Sequence, residues 1–319
     1  MQTFYYLASP IFIPLTPTPA CFMSRLATLK FLNALINTNL PGSGKLARFL
    51  SRVLLPKAQG PLVVDTLEGF KIWVDPVADA LGVENEIFRL GIYERGTVHV
   101  MKSFLRPGDN VLDVGANIGF MTLVAARYCR PGKVHAFEPL PEALEWLKKN
   151  LALNDTRNVI IHDFALGSRE GIFKLYPQRL QNNRGSASLL QADTAGPALD
   201  IQVKTLDTVL DAGDSFQLMK IDVEGFELEV LKGARTLLSG VAAPAIILEC
   251  CLVRDNSCYT AQELFDFITT INAYKIYKLK KGKTRISGLI PVNKPEELPH
   301  DDNIFCFLPE QLKRVEALI

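Results

Sequence analysis

The apolar positions of this chain change period along its length, and each period predicts an element. Between residues 24 and 37, Leu26, Leu29, Leu32, Leu35 and Ile36 recur at helical spacing, and Pro41-Gly42-Ser43-Gly44 ends the pattern. A second helix is expected from Lys45 to Leu55, before Pro56. At residues 62–64 and 70–74 the period shortens to that of two strands, joined through Thr66-Leu-Glu-Gly69 as a hairpin. Residues 83–105 return to helical spacing, with a break at Gly91. From residue 110 onward, short apolar runs alternate with amphipathic ones. Strands are expected at 110–114, 133–137, 158–162, 217–222 and 245–249, with helices at 119–129, 141–153, 226–239 and 261–272. This alternation predicts an α/β fold, a mostly parallel sheet with helices on both faces. Two later runs, 274–279 and 303–308, read as an antiparallel edge pair. Thr260-Ala-Gln-Glu263 has the form of a capping box, and Leu264, Phe267, Ile268 and Ile271 follow it on one helix face. Residues 177–200, rich in Asn, Gln, Gly, Ser and Ala, read as a long loop. Within it Arg179, Asn182, Asn183 and Arg184 are candidates to grip a polar acceptor.

The ends and the composition narrow the picture. Residues 4–23 are apolar, but Pro10, Pro14, Pro17 and Pro19 forbid a spanning helix there, and no Lys or Arg precedes the run. A flexible or partly docked tail is expected, with Met23 as an alternative start. The division expected is a tail and helical extension over 1–60 and a main domain over 61–319. That domain has entry elements at 61–107, a cofactor-binding core at 108–250, and a last helix with edge strands at 251–319. The 319 residues are 48% hydrophobic, enough for a full core, and carry a formal net charge of +1, which does not suggest nucleic acid. The six cysteines form no CxxC pair and read as reduced, mostly buried thiols of a cytoplasmic protein. The two N-terminal helices are basic and amphipathic. They read as a cap on the core, with weak peripheral membrane contact as the alternative, and no membrane span is expected.

The chemistry concentrates around Val111-Leu-Asp-Val-Gly-Ala-Asn-Ile-Gly119, a strand running into a glycine turn and a helix. A dinucleotide fingerprint would need Gly at 115, 117 and 120, but Asn117 and Phe120 hold the last two places. The turn therefore suits a nucleoside without a pyrophosphate, and S-adenosylmethionine fits. Its amino acid end would rest against Gly115, Asn117 and Gly119, with Asp113 beside them. Its ribose would meet Glu138, the acid that ends the next strand before Pro139.

With Asp113-Val-Gly-Ala-Asn-Ile-Gly119, Ala136-Phe-Glu-Pro139, Ala165-Leu-Gly167, Thr205-Leu-Asp207 and Leu218-Met-Lys-Ile-Asp-Val-Glu-Gly-Phe-Glu227 in order, the chain resembles the FkbM family of methyltransferases. Ile87-Phe-Arg-Leu-Gly-Ile-Tyr-Glu94 adds an entry segment, so the likeness covers roughly 85–250. The resemblance implies a class I, Rossmann-like methyltransferase fold with seven strands in the order 3-2-1-4-5-7-6. It also implies S-adenosylmethionine as cofactor, and transfer to a hydroxyl of a sugar or natural-product-like acceptor, a small molecule or glycan. Asp163 and Phe164 would lie near the adenine, although a core role for Phe164 is equally open. Asp222, Glu224 and Glu249 are the candidates for the base that activates the hydroxyl. Glu224, Glu227 and Glu229 also suit a helix start on structural grounds alone. The same acids could hold Mg²⁺, but no dedicated ligand set is present and none is expected. His162 is read as structural. Tyr93-Glu94 would close over the cofactor, or Glu94 would be a solvated acid. The rival readings are a nicotinamide-dependent oxidoreductase and a cofactor-binding module without turnover.

Overall fold

The computed structural model describes residues 24–38, 40–177, 187–188, 198–211, 213–252 and 259–319. The tail before Ser24 and the loop residues Arg179, Asn182, Asn183 and Arg184 lie outside them. In chain order the elements are α1 (Arg25–Asn37), α2 (Ser43–Leu54), β1 (Leu62–Asp65), β2 (Lys71–Val74), α3 (Val83–Leu90), α4 (Arg95–Phe104), β3 (Val111–Val114), α5 (Phe120–Cys129), β4 (Val134–Phe137), α6 (Pro141–Leu153), β5 (Val159–His162) and β6 (Ala165–Leu166). There follow β7 (Gly171–Pro177), β8 (Ala187–Ser188), β9 (Leu199–Lys204), α7 (Leu206–Val209), β10 (Leu218–Ile221), α8 (Glu227–Lys232), α9 (Arg235–Ser239), β11 (Ala245–Cys251), α10 (Ala261–Ile271), β12 (Lys275–Leu279), β13 (Leu289–Val292) and β14 (Asp301–Phe307).

The main sheet runs β13-β12-β14-β11-β10-β3-β4-β5. From β11 to β5 every pairing is parallel, while β14 lies antiparallel between β11 and β12. Counted from β3, this is the expected order 3-2-1-4-5-7-6, with β13 added as an eighth, antiparallel strand. The later pair is therefore not the sheet edge, because β13 covers β12. The central strands β3, β10 and β11 are buried along their whole length, as strands covered on both faces must be. β6, β9, β7 and β8 form a smaller sheet over residues that include part of the expected loop.

The expected helix 226–239 is broken into α8 and α9 at Gly233. A Cβ there would come within 2.0 Å of the Gly167 carbonyl oxygen, so the close approach of the two segments admits only glycine and ends the first helix. The capping box forms as expected: the Thr260 side chain accepts from the Glu263 N–H, and the Glu263 carboxylate accepts from the Thr260 N–H. The α1–α2 pair buries Leu32, Ile36 and Ala47 in the same apolar cluster as the sheet. Asn150 of α6 accepts from the Trp73 N–H (2.7 Å) and donates to the Ile118 carbonyl (2.8 Å), tying the β1–β2 hairpin to the glycine turn. The four described cysteines, Cys129, Cys250, Cys251 and Cys306, are buried free thiols, in line with the sequence reading.

Candidate active site

A cleft opens at the carboxyl ends of β3, β4 and β10, where ligands settle in open α/β sheets. It encloses about 1050 Å³ of space free of protein atoms, counting its open mouth. The glycine turn forms one wall. Gly115 has φ +84°, and a Cβ on it would stand 1.9 Å from the Asp222 carbonyl oxygen, so two strand ends touch there. Asn117 takes a left-handed φ of 50°, a conformation asparagine tolerates better than most residues. Gly119 (φ +91°) lies behind this wall, against the Leu147 side chain, where a Cβ would come within 2.5 Å of Leu147 Cδ1. Phe120 wedges between Phe70 and Tyr93, filling the space a third glycine would leave open.

Glu138 is buried at the end of β4. One of its oxygens accepts from the Asn117 N–H at 2.8 Å and the other from the Leu140 N–H at 2.9 Å. Burial pushes its pKa up to about 7, against the pull of those two amides. Each carboxylate oxygen keeps a further acceptor site. Asp113 lies one layer below the cleft and does not line it. It accepts from the Thr122 hydroxyl at 2.6 Å, its other oxygen has no hydrogen-bond partner, and burial raises its pKa.

Asp163 and Phe164 do not line the cleft either. Phe164 packs edge-on to Phe137 within the second apolar cluster, with the Lys204 ammonium over its ring. Pro139, Leu140, Ala165, Leu166 and Leu175 supply the apolar wall instead. His162 stacks on Phe137 at 4.3 Å and hydrogen-bonds His135 at 3.2 Å. Burial, then the neighbouring His135, lower its pKa to about 4, as suits a structural histidine.

The floor carries charge. Asp222, Glu224 and Glu249 all line the cleft, together with Lys220. Lys220 points inward from β10 beside Asp113 and holds Asp222 at 3.0 Å. Burial works against its ammonium, but Asp222, Asp113 and Glu94 outweigh that and keep its pKa above the usual lysine value. Burial would likewise raise Asp222. Lys220, Lys283 and a hydrogen bond to Glu249 override it and hold this carboxyl at about 2. Glu249 goes the other way: burial, then the charge on Asp222, push it up to about 8. The adjoining carboxyls thus keep one proton between them at neutral pH, the arrangement that separates an acid from a base.

Glu249 is gripped from outside the central strands. Lys283, in the turn between β12 and β13, contacts Glu249 and lies 3.3 Å from Glu94. Asn303 of β14, opposite Glu249 in register, donates to Glu94 (2.7 Å) and to the Thr97 hydroxyl (2.7 Å). Glu94 is 1% exposed, so it is not a solvated acid, and Tyr93 beside it lines the cleft. The Cys251 thiol donates to Glu249 at 3.2 Å, and burial raises its pKa far above that of an ordinary thiol. Asp222 and Glu249 each contact an ammonium group, Lys220 and Lys283 respectively. Glu224 sits at φ 60°, ahead of Gly225 at φ 102°. This turn is pinned by Glu227, which accepts from the Val223 and Gly225 N–H groups (3.3 and 2.9 Å) and from the Tyr259 hydroxyl (2.8 Å). Glu229 pairs with Lys232 at 2.7 Å, so both have the structural employment a helix start offers.

Comparison with known proteins agrees with this geometry. The family model described as "Methyltransferase FkbM domain" matches residues 113–277. "Methyltransferase sdnD" of Sordaria araneosa is 32% identical over 39% of this chain and 59% of its own length. "Hexuronic acid methyltransferase AglP" of Haloferax volcanii is 31% identical over 46% of this chain and 60% of its own. "31-O-demethyl-FK506 methyltransferase FkbM" of Streptomyces tacrolimicus is 31% identical over 40% and 60%. The chain thus spans about three fifths of each of these relatives. The matched segment covers more than half of the chain and contains the glycine turn, Glu138, Asp222 and Glu249: this protein belongs to the FkbM methyltransferase family, with the class I fold and with S-adenosylmethionine as its cofactor.

Proposed function

We propose that this chain is an O-methyltransferase acting on a hydroxyl of a sugar or natural-product-like small molecule. The observation that carries the reading is the Asp222–Glu249 pair on the cleft floor, two adjoining buried carboxyls held between Lys220 and Lys283. The residues fit the nucleoside end of the cofactor. Glu138 is fixed by two backbone amides yet keeps an acceptor site on each oxygen, one for each of two vicinal hydroxyls. Gly115 brings backbone to the cleft without a side chain in the way, Asn117 lines it in a left-handed turn, and Pro139, Leu140 and Leu166 offer an apolar slot for a flat ring. When bound, S-adenosylmethionine supplies an activated methyl group on a cationic sulfur.

The chain's own residues do the rest. An aliphatic hydroxyl is a poor nucleophile and needs a proton acceptor within hydrogen-bond reach. Asp222, held at about 2, is a weak acceptor, and its part is to orient the hydroxyl and favour a cation nearby. Glu249, at about 8, has a base strength matched to neutral pH once its proton has left, so it is the preferred base ahead of Asp222 and Glu224. Lys283 steadies the carboxylate that results. Alignment within the closed floor supplies much of the remaining rate. The names of AglP and of FkbM, which give a hexuronic acid and 31-O-demethyl-FK506, favour an oxygen acceptor.

The test pairs calorimetry with turnover. S-adenosylhomocysteine should bind the folded chain, and Glu138→Ala should weaken it about a hundredfold, by removing charge-assisted hydrogen bonds. S-adenosylmethionine should then be consumed with a member of a panel of uronic acids, hexoses and hydroxylated polyketides. Binding without consumption across amine, thiol and hydroxyl acceptors would favour a module without turnover. Methylation confined to nitrogen would refute the oxygen assignment.

A further inference from the structure

Helix α2 is built inside out. Its buried positions are Ser43, Ala47 and Ser51, small residues four apart, while Leu46 (48% exposed), Phe49 (62%) and Val53 (66%) stand in solvent at i, i+3 and i+7. Surface helices do the reverse, turning their large apolar residues inward. Lys45, Arg48 and Arg52 form a second exposed row directly beside the apolar one. Phe31 of α1 and Leu40 in the connection add further exposed apolar surface. The charge of this stretch is one-sided: the chain has no Asp or Glu before Asp65, whereas Arg25, Lys30, Lys45, Arg48, Arg52 and Lys57 all precede it, and Glu86 of α3 faces only Arg48 among the α2 row.

We infer that α2 docks this protein onto an anionic lipid surface. The occupant of this face must offer apolar volume to Phe49, Leu46 and Val53 and negative charge to the flanking row at the same time. A second copy fails on charge, since a two-fold contact would set the Lys45, Arg48 and Arg52 rows against each other with no acid on either α2. The chain's own residues 1–23 are apolar but contain no acid. A bilayer with acidic headgroups meets both demands: the apolar stripe enters the acyl boundary, and the long cationic side chains reach back to the phosphates. α2 packs on α3, whose first residue Val83 lines the cleft, so the docked helix is one element away from the site. Among the described residues no helix is long and apolar enough to cross a membrane.

Vesicle flotation of the full chain tests the inference. Vesicles with about 30% phosphatidylglycerol in phosphatidylcholine should carry the protein, and pure phosphatidylcholine vesicles should not. Phe49→Ser/Val53→Ser and, separately, Lys45→Glu/Arg48→Glu/Arg52→Glu should each cut the bound fraction about tenfold, and high salt should release the wild type. These side chains are exposed, so melting temperature and S-adenosylhomocysteine binding should stay unchanged. Phe49→Ala serves as a milder second variant. The inference is overturned if the acidic vesicles do not carry folded protein, or if all variants bind as the wild type does. It is equally overturned by a dimer that dissociates in Phe49→Ala, or by α2 amides that exchange faster in a chain starting at Met23, since another occupant then covers the face.

Discussion

Glu249→Gln should make this protein more stable and less active, and the balance should depend on pH. In the unfolded chain the carboxyl loses its proton near 4.5, whereas in the folded cleft it keeps it until about 8. Between those values the folded state binds more protons than the unfolded state, so folding stability falls as pH rises, by about 1.4 kcal/mol per unit. At pH 7 the accumulated loss is up to about 3 kcal/mol, an upper figure because Asp222 shares the proton. Glutamine has the shape of the protonated acid. Its carbonyl can still accept from Lys283, and its amide can still donate toward Asp222, but it cannot ionise. The variant should therefore match the wild type at about pH 4, gain steadily through the neutral range, and melt several degrees higher at about pH 8. With the preferred base removed, turnover should fall about a hundredfold or more. Thermal melts in a pH series, run beside S-adenosylhomocysteine release, read both effects. A stability difference that is constant across pH, or a variant less stable throughout, would show that Glu249 is not a proton-holding acid in this cleft.

Other substitutions probe the frame around that group. Gly115→Ala should abolish cofactor binding and cost more than about 3 kcal/mol in denaturant melts, because the new methyl group has the Asp222 carbonyl 1.9 Å away and a left-handed backbone besides. Lys220→Met should destabilise by about 3–5 kcal/mol by stranding Asp113 and Asp222 without their shared cation, and adding Asp113→Asn should recover part of the loss. Thr260→Ala should lower stability by about 0.5–2 kcal/mol in the same melts and leave cofactor affinity unchanged, since the capping box lies away from the cleft lining.

The parallel core was readable because both the strands and the helices that cover them advertise their period. α6 matches the expected bounds, and β3, β4, β5, β10 and β11 fall within a residue or two of theirs. β13 escaped notice because Leu289-Ile-Pro-Val292 contains a proline, which argues against a strand except at an edge, and the edge is where it lies. β9 was legible and passed over: Ile201 and Val203 are buried while Asp200 and Gln202 are not, an alternation hidden by the polar residues before it. At the site, the glycine turn and Glu138 were readable from strand ends, whereas Asp222, Glu224 and Glu249 were named through the family resemblance; all three acids line the cleft. Lys220 carried a signal that went unused, since a lysine inside Leu218-Met-Lys-Ile221 must find a carboxylate when the strand is buried. Lys283 carried none. Nothing in Lys280-Lys-Gly-Lys283 says which lysine turns inward, because that is decided by the Gly96 N–H donating to its carbonyl and by its own N–H donating to Asp302. Asp163 and Phe164 were placed by analogy of position, and the edge-on packing of Phe164 against Phe137 draws it into the core instead.

The grip on Glu249 comes from three separate stretches of the chain. The nucleoside cradle lies within the 113–277 segment that matches the family, whereas Glu94, Lys283 and Asn303, which set the charge around Glu249, all lie outside it. The β12–β13 turn and the start of α4 therefore set the charge around Glu249, while Glu138 is held by amides of its own end of the cleft. Replacing that turn is a way to shift the proton affinity of the floor while leaving Glu138 in place.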